Sequence, residues 1–412
     1  MMDKSRAPRK LAFLTIMHGM VDAYATLLPH ILPLLLAKLD PTSGQNRLAG
    51  ILMASGNAFN SFSQLVTARI ADRTRSIHFL TLGLALPAIA VCLLGLSPSL
   101  FFLVILLAVA GIGGAIFHPP ATAQAAELSA QNRGTGVSIF ITGGNVGQAI
   151  GPFLIILFLD KISENLPPDK LYLKLPWLSI WMIPGLLVAV VGGILLKDTV
   201  ESPTTRTLAK VPVWPEIKRQ FLPLLLLHLI SMLKTVTVLG FITYLSLLLN
   251  QLEYAHTRRS MILAGFIFAG SMGILAGGKL SDILGGSVVL LISLVFSTPL
   301  LHLSAMSISD DPISFIVLLF AGNFVLASSA SVNIVMGQKL LPNHQSIASS
   351  FMMGAAWGVA GLLNIPLGSL ADQIGRVSLL KRLSILPFLT ASLLAFLKMP
   401  KTTPDTVSSI VD

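Results

Sequence analysis

Charge and cysteine are what this sequence has least of. Only 11% of its 412 residues are Asp, Glu, Lys or Arg, against 54% hydrophobic, where a soluble domain carries about 25% charged residues. That scarcity excludes a soluble globular chain of this size. A single cysteine, Cys92, excludes an intrachain disulfide and any cysteine-based metal cluster. The short dyad alternation of barrel strands is missing. So are a phosphate-binding glycine loop, a metal motif with workable spacing and a nucleophile elbow, which argues against an enzyme and against ATP as a driving force. The start shows no signal-peptide pattern, because Lys4, Arg6, Arg9 and Lys10 lead into a full-length apolar run.

What is present is hydrophobic length. Mean hydropathy is +0.81, and a spanning helix needs about 20 apolar residues. Twelve runs qualify, near 11–38, 47–71, 78–97, 100–127, 133–159, 175–196, 221–250, 259–281, 287–307, 312–338, 345–370 and 378–398. The pattern predicts an all-α membrane protein with twelve transmembrane helices. The net charge of +10 sits in short loops, so it reads as a topology signal and not as a nucleic-acid surface. With the N-terminus inside, the inner segments hold 17 Lys and Arg residues and the outer loops 10, which predicts both termini in the cytoplasm of a bacterial inner membrane.

The longest polar connection, 197–220, contains Pro203, Pro212 and Pro215. It predicts a six-helix bundle over 1–196, a cytoplasmic linker over 197–220 and a second six-helix bundle over 221–412. The halves repeat at an offset of 210 or 211: His18 matches His228, Ala68 to Asp72 matches Gly278 to Asp282, and Phe140, Gly143 and Gly147 match Phe351, Gly354 and Gly358. Two pseudo-symmetric bundles related by repetition describe a transporter with its site between them.

Within the first span, Thr15, His18, Asp22, Thr26 and Pro29 share one helix face. Asp22 is the one acid placed deep in the membrane, where a charge costs at least a few kcal/mol unless it faces protein or water. It is read as a proton-coupling or substrate-cation site, against the plainer reading of a structural partner for Lys234. Lys234, the one base placed mid-span, either faces Asp22 or binds an anionic group. His118 falls at the depth of His18, before Pro119 and Pro120, which predict a kink with freed carbonyls. In the fifth span Gly143, Gly147 and Gly151 form a face for close helix approach, Ser138, Thr142 and Asn145 form a polar face toward the cavity, and Gln148 lies between them. Thr26, His118, Asn145, Gln148 and His228 are the predicted substrate contacts. Asp72, Arg73 and Asp282 are predicted latches between the rocking halves. His18, Asp22 and His118 are metal-ligand types, but their spacing predicts no metal site.

These features resemble the major facilitator superfamily, and within it the fosmidomycin resistance protein family of bacterial drug efflux transporters. The resemblance rests on His18 to Asp22, Gly113 to Pro119, Gly143 to Gly147, Gly151-Pro152, Leu341-Pro342, Gly354 to Gly361 and Ala371-Asp372. It covers about 11–398 and implies a proton-driven exporter working by alternating access, with Asp22, His18 and His118 in the central cavity. The superfamily's loop signature, Gly-x-x-x-Asp-x-x-Gly-Arg, is degraded at 68–76 and at 278–286, and its best copy runs from Gly368 to Arg376. The arginine that many proton antiporters of the superfamily carry in the fourth span has no counterpart at 106–111.

Together these readings predict a monomeric secondary transporter that exports a small organic compound or drug in exchange for protons, without cofactor or metal. An importing proton symporter and a non-transporting membrane receptor on the same fold are the alternatives.

Overall fold

The computed structural model describes residues 7–40, 43–74, 76–129, 133–162, 166–200, 213–308 and 310–397. Among the described residues there is no strand. Eleven stretches are long and apolar enough to cross a membrane. The twelfth expected span is also helical, α3 (Gln45–Thr74). Its Asn57, Asn60 and Gln64 make it too polar to qualify by composition alone. It is stable there because it packs between α5 (Leu100–Leu128) and α15 (Ala356–Ile374).

The first half contains α1 (Ala7–Ala25), α2 (Leu28–Leu39), α3, α4 (His78–Cys92), α5, α6 (Arg133–Lys161), a 3-10 segment over Pro168–Trp181 and α7 (Met182–Val200). The short α8 (Val213–Arg219) precedes the second half. That half comprises α9 (Phe221–Gln251), α10 (His256–Leu284), α11 (Gly286–Ser307), α12 (Pro312–Ala327), α13 (Ala330–Leu340), α14 (Gln345–Ser350), α15 and α16 (Arg376–Ala391). The expected linker 197–220 therefore begins and ends in helix, and its centre lies outside the described residues. Helices α3 and α15 form one seam between the halves, α6 and α10 the other.

Local chemistry explains the starts and breaks. Asp311 caps α12, accepting from the backbone N–H groups of Ile313 and Ser314 at 3.1 Å each. Bonds from the Ser314 side chain and backbone hold its carboxyl below the usual carboxylate range. The first span is not one helix. It breaks between Ala25 and Leu28, just before Pro29, and Thr26 ties the break to α6 by donating to the carbonyls of Asp22 and Gln148 at 2.8 and 3.2 Å. The tenth span also breaks, at Ser328 and Ser329, between α12 and α13.

The fourth span corrects an expectation. Helix α5 runs unbroken through Pro119 and Pro120. Pro119 lacks the N–H that would bond the Ala115 carbonyl, but Thr67 of α3 donates its hydroxyl to that carbonyl at 2.8 Å. A freed backbone acceptor is thus satisfied by a neighbouring helix and is not left for a ligand.

The glycine face of α6 packs as expected. A Cβ on Gly143 would lie 2.2 Å from Thr15 Cγ2, one on Gly147 2.0 Å from the Gly19 carbonyl oxygen, and one on Gly151 2.3 Å from Ala23 Cβ. Helices α1 and α6 are therefore in backbone contact. Gly147→Ala forces them apart and should cost about 1–3 kcal/mol. At Gly278 the nearest atom to an added Cβ is Ser331 Oγ at 3.6 Å. Thermal melts of detergent-purified protein should show a lowered midpoint for Gly147→Ala and an unchanged one for Gly278→Ala; equal midpoints would refute the contact.

Candidate functional site

Backbone contact between α1 and α6 brings their side chains together at one depth. Positions 140, 144 and 148 of α6 face the His18–Asp22 stripe of α1. His18 Nδ1 lies 2.8 Å from the Phe140 carbonyl oxygen, and its ring stacks on Phe140 with centroids 4.0 Å apart and planes at 13°. A carbonyl only accepts, so Nδ1 carries the hydrogen. Gly144 is buried against the pair, where an added Cβ would lie 2.5 Å from Asp22 Oδ2 and from His18 Cε1. Gln148 Nε2 donates to Asp22 Oδ2 at 2.9 Å.

Asp22 is 5% exposed. His18 Nε2 approaches its Oδ2 at 3.4 Å, and His118 Nε2 from α5 approaches its Oδ1 at 3.5 Å. The two imidazoles meet edge to face, 5.3 Å between centroids. The His118 side chain keeps 26% of its exposure, so the cluster is least enclosed on that side. The sequence spacing offered no metal site, yet the nitrogen and carboxylate atoms of these three residues lie within 4.8 Å of one another. At that spacing one small cation, a proton included, can be shared.

The second half repeats the histidine clamp. His228 Nδ1 lies 2.9 Å from the Phe351 carbonyl oxygen, and the rings stack at 4.2 Å and 18°. Phe351 opens a π-helical turn, Phe351–Ala355, a local widening that lets its carbonyl turn out of the helix ladder. His228 is thereby engaged in packing the second half. It is placed like His18, but no acid stands four residues on. In its stead Lys234, buried at 5% exposure, donates to Ser329 Oγ at 2.9 Å, at the break in the tenth span. Lys234 and Asp22 make no ion pair, which removes the reading of Asp22 as its structural partner.

Other expectations shift. Asn145 is half-buried, one residue off the α6 face that meets Asp22, and no hydrogen bond joins it to Asp22 or to either histidine. The side chain of Ser138 lies outside the described residues, as do those of Asp72 and Arg73. Asp282 is exposed at the end of α10 and makes no described contact with the first half. A described contact between the halves lies at the opposite end. Asp372 accepts from the N–H groups of Asn46 and Arg47 at 3.1 Å and from Asn46 Nδ2 at 2.8 Å, and Arg376 Nε donates to Asn46 Oδ1 at 2.6 Å. A carboxylate there also suits the positive N-terminus of α3. The signal for it was the intact copy of the loop signature at Gly368 to Arg376.

Comparison with known proteins agrees with this architecture. The chain is 25% identical over 393 residues to the uncharacterized MFS-type transporter YfnC of Bacillus subtilis (strain 168), covering 94% of this chain and 92% of the relative. It is 24% identical over 383 residues to the fosmidomycin resistance protein of Escherichia coli (strain K12), covering 92% and 90%. Among solved structures, a bacterial homolog of the human lysosomal transporter Spinster, inward-facing and unoccupied, superposes with a TM-score of 0.72 at 14% identity, covering 97% of this chain and 100% of that one. The nucleoside transporter NupG gives 0.74 at 12%, covering 94% and 100%. The family model of the Major Facilitator Superfamily matches residues 11–363, and the chain belongs to that superfamily of membrane transporters.

Proposed function

We propose that this chain is a secondary active transporter of the bacterial inner membrane, exporting a small organic compound in exchange for protons by alternating access, with Asp22 as the proton carrier. The observation that carries the reading is the donor count at the cluster. The His18 Nδ1 hydrogen is committed to Phe140, so in a neutral ring Nε2 presents a lone pair to Asp22. A lone pair against a carboxylate is repulsive. The arrangement is favourable when one proton resides on the pair, on Nε2 or on the carboxyl. His118 stands on the cavity side, where it can pass that proton on. Gln148 holds Oδ2 in place whether or not the acid is ionised.

Lys234 supplies the other pole of the site. Among the described residues it has no carboxylate within ion-pair reach and one hydroxyl partner. A buried ammonium so placed favours a substrate with an anionic group, and Thr26, Asn145, Gln148, His118 and His228 remain its proposed further contacts. Similarity to a fosmidomycin resistance protein supports drug efflux as the physiological role. The fold needs no cofactor for this cycle, since the proton gradient supplies the work, and a monomer contains the whole pathway. The Lys and Arg bias supports termini in the cytoplasm, on either side of a first bundle to 196, a linker over 197–220 and a second bundle from 221.

Proteoliposomes with a trapped pH dye test the central claim. Addition of compounds from a panel that includes phosphonate antibiotics should move protons with wild-type protein and not with Asp22→Asn. Movement opposite to the compound supports exchange; movement with it would replace export by import on the same site. Equal flux in both proteins would remove Asp22 from the mechanism. Lys234→Met should separate stability from function. Replacing a buried, poorly paired charge by an apolar chain is neutral or stabilising, so the melting midpoint should hold or rise while substrate-driven flux falls by about tenfold or more. Undiminished flux would reduce Lys234 to a packing residue.

A further inference from the structure

The described hydrogen bonds between the halves gather at the end of the bundle opposite the termini. One group is the Asp372–Asn46–Arg376 latch. The other, at the α6–α10 seam, is a buried cluster that the central site does not use. Asp160, at the last turn of α6, receives Lys174 Nζ on Oδ1 at 2.5 Å, His256 Nδ1 on Oδ1 at 3.0 Å and the Thr257 hydroxyl on Oδ2. Lys174 belongs to the 3-10 segment of the first half, His256 and Thr257 to the first turn of α10. The other nitrogen of His256, Nε2, lies 3.1 Å from the His30 carbonyl oxygen on α2. His30 Nδ1 in turn meets Ser260 Oγ at 2.6 Å. One turn below, Ser246 of α9 donates to the Pro29 carbonyl at 2.5 Å. His256 and Lys174 are 6% and 1% exposed.

Donor counting fixes the protonation of this lock. The His30 carbonyl can only accept, so His256 Nε2 bears a hydrogen. A neutral imidazole has one N–H, which leaves Nδ1 a lone pair, 3.0 Å from a carboxylate oxygen that already accepts from Lys174. The Asp160–His256 contact exists only if it holds one further proton. Without that proton, His256 can keep its bond to His30 or turn toward Asp160, but it cannot bridge both. Both partners lie in the first half and His256 in the second, so the proton fastens the halves together.

We propose that His256 is a second proton-binding site, separate from Asp22, and that its protonation closes the pathway at this end. The groups facing it are Asp160 from α6, Lys174 from the 3-10 segment, His30 from α2 and Arg259 from its own helix, whose guanidinium bonds to Asn250 and feels Asp160 from nearby. Of the side chains that bond to Asp160, His256 is the one whose type ordinarily exchanges its proton near neutral pH, so the proton it shares is the removable charge of the cluster. The sign follows: the lock is complete at low pH and is lost as pH rises. It does not depend on which compound is carried, or on the role of Asp22.

The test is a spin-label distance measurement on full-length protein in nanodiscs, without substrate or gradient. Lys170→Cys and Asp310→Cys place labels on exposed sites at this end of the two halves, in a Cys92→Ala background. Between pH 5 and pH 9 the short distance should give way to a longer one in the parent protein. In an Asp22→Asn background, which removes any response of the central acid, the pH response should persist, and adding His256→Gln, which has no group to take the proton, should abolish it. Asp160→Asn offers an amide N–H to a neutral His256 and should stay short at every pH. A monodisperse elution profile confirms that each variant is folded. An unchanged pH response on adding His256→Gln, or a response that vanishes in Asp22→Asn, would overturn the proposal.

Discussion

The structure depends on one constraint: a carboxylate inside the membrane must have every side of it occupied. Asp22 meets it through the close approach of α6, which brings the amide of Gln148 to one oxygen and, through the Phe140 carbonyl, holds His18 of its own helix against the same oxygen. Helix α5 adds His118 on the other. None of this works with ordinary helix spacing. Gly143, Gly147 and Gly151 let α1 and α6 touch backbone to backbone, and Gly144 leaves the room in which Asp22 and His18 lie. The glycines and the acid are therefore one device. The packing of α1 on α6 sets the position of the charge, and the charge would be too costly to bury without it.

The same rule governs the backbone. A carbonyl without its helical partner is as unwelcome in the bilayer as an unpaired side chain. Where Pro119 frees the Ala115 carbonyl, Thr67 takes it, and the helix stays unbroken. Where Pro33 inside α2 frees the Pro29 carbonyl, Ser246 of the other half donates to it, and the neighbouring His30 carbonyl accepts from His256. One proline is absorbed within a bundle and the other is used between bundles. The difference lies in which neighbour brings a donor. A local rule about proline therefore does not decide where the freed carbonyl finds its donor.

That distinction marks what was legible in the sequence. Twelve helices, the two halves and the offset near 210 come from periodic apolar runs and matched residues, which are properties of the chain itself. The repeat even returned as geometry, since His18 on Phe140 and His228 on Phe351 are the same clamp. The glycine face of α6 followed from spacing alone. Gln148, also expected at the site, is the α6 side chain that reaches Asp22, whereas Asn145 does not; which side of a wide polar stripe meets a given residue is selected by the partner helix. A latch was expected at Asp72, Arg73 and Asp282, where the loop signature is degraded; the side chains of the first two lie outside the described residues, and the contact between halves that is described is at Asp372 and Arg376, where the signature is intact. The lock at Asp160 and His256 left no signal, because its members are distant in sequence and none sits mid-span.

The two halves are alike in scaffold and opposite in charge. Each holds a histidine against a phenylalanine carbonyl and carries one ionisable group on the helix that opens it, an acid on α1 and a base on α9. No ion pair joins them. Had they paired, rocking the halves would break a buried salt bridge in every cycle, and separating such a pair is strongly unfavourable. Kept apart, each group keeps its contacts within its own half: Asp22 with Gln148 and the histidines, Lys234 with the Ser329 hydroxyl. The halves can then move as bodies without exposing an unsatisfied charge at the centre. The bonds that must be made and broken are moved to the far end, where water can replace them. A fold that keeps its central charges within each half and its exchangeable bonds at the rim can change which side is open at low energetic cost.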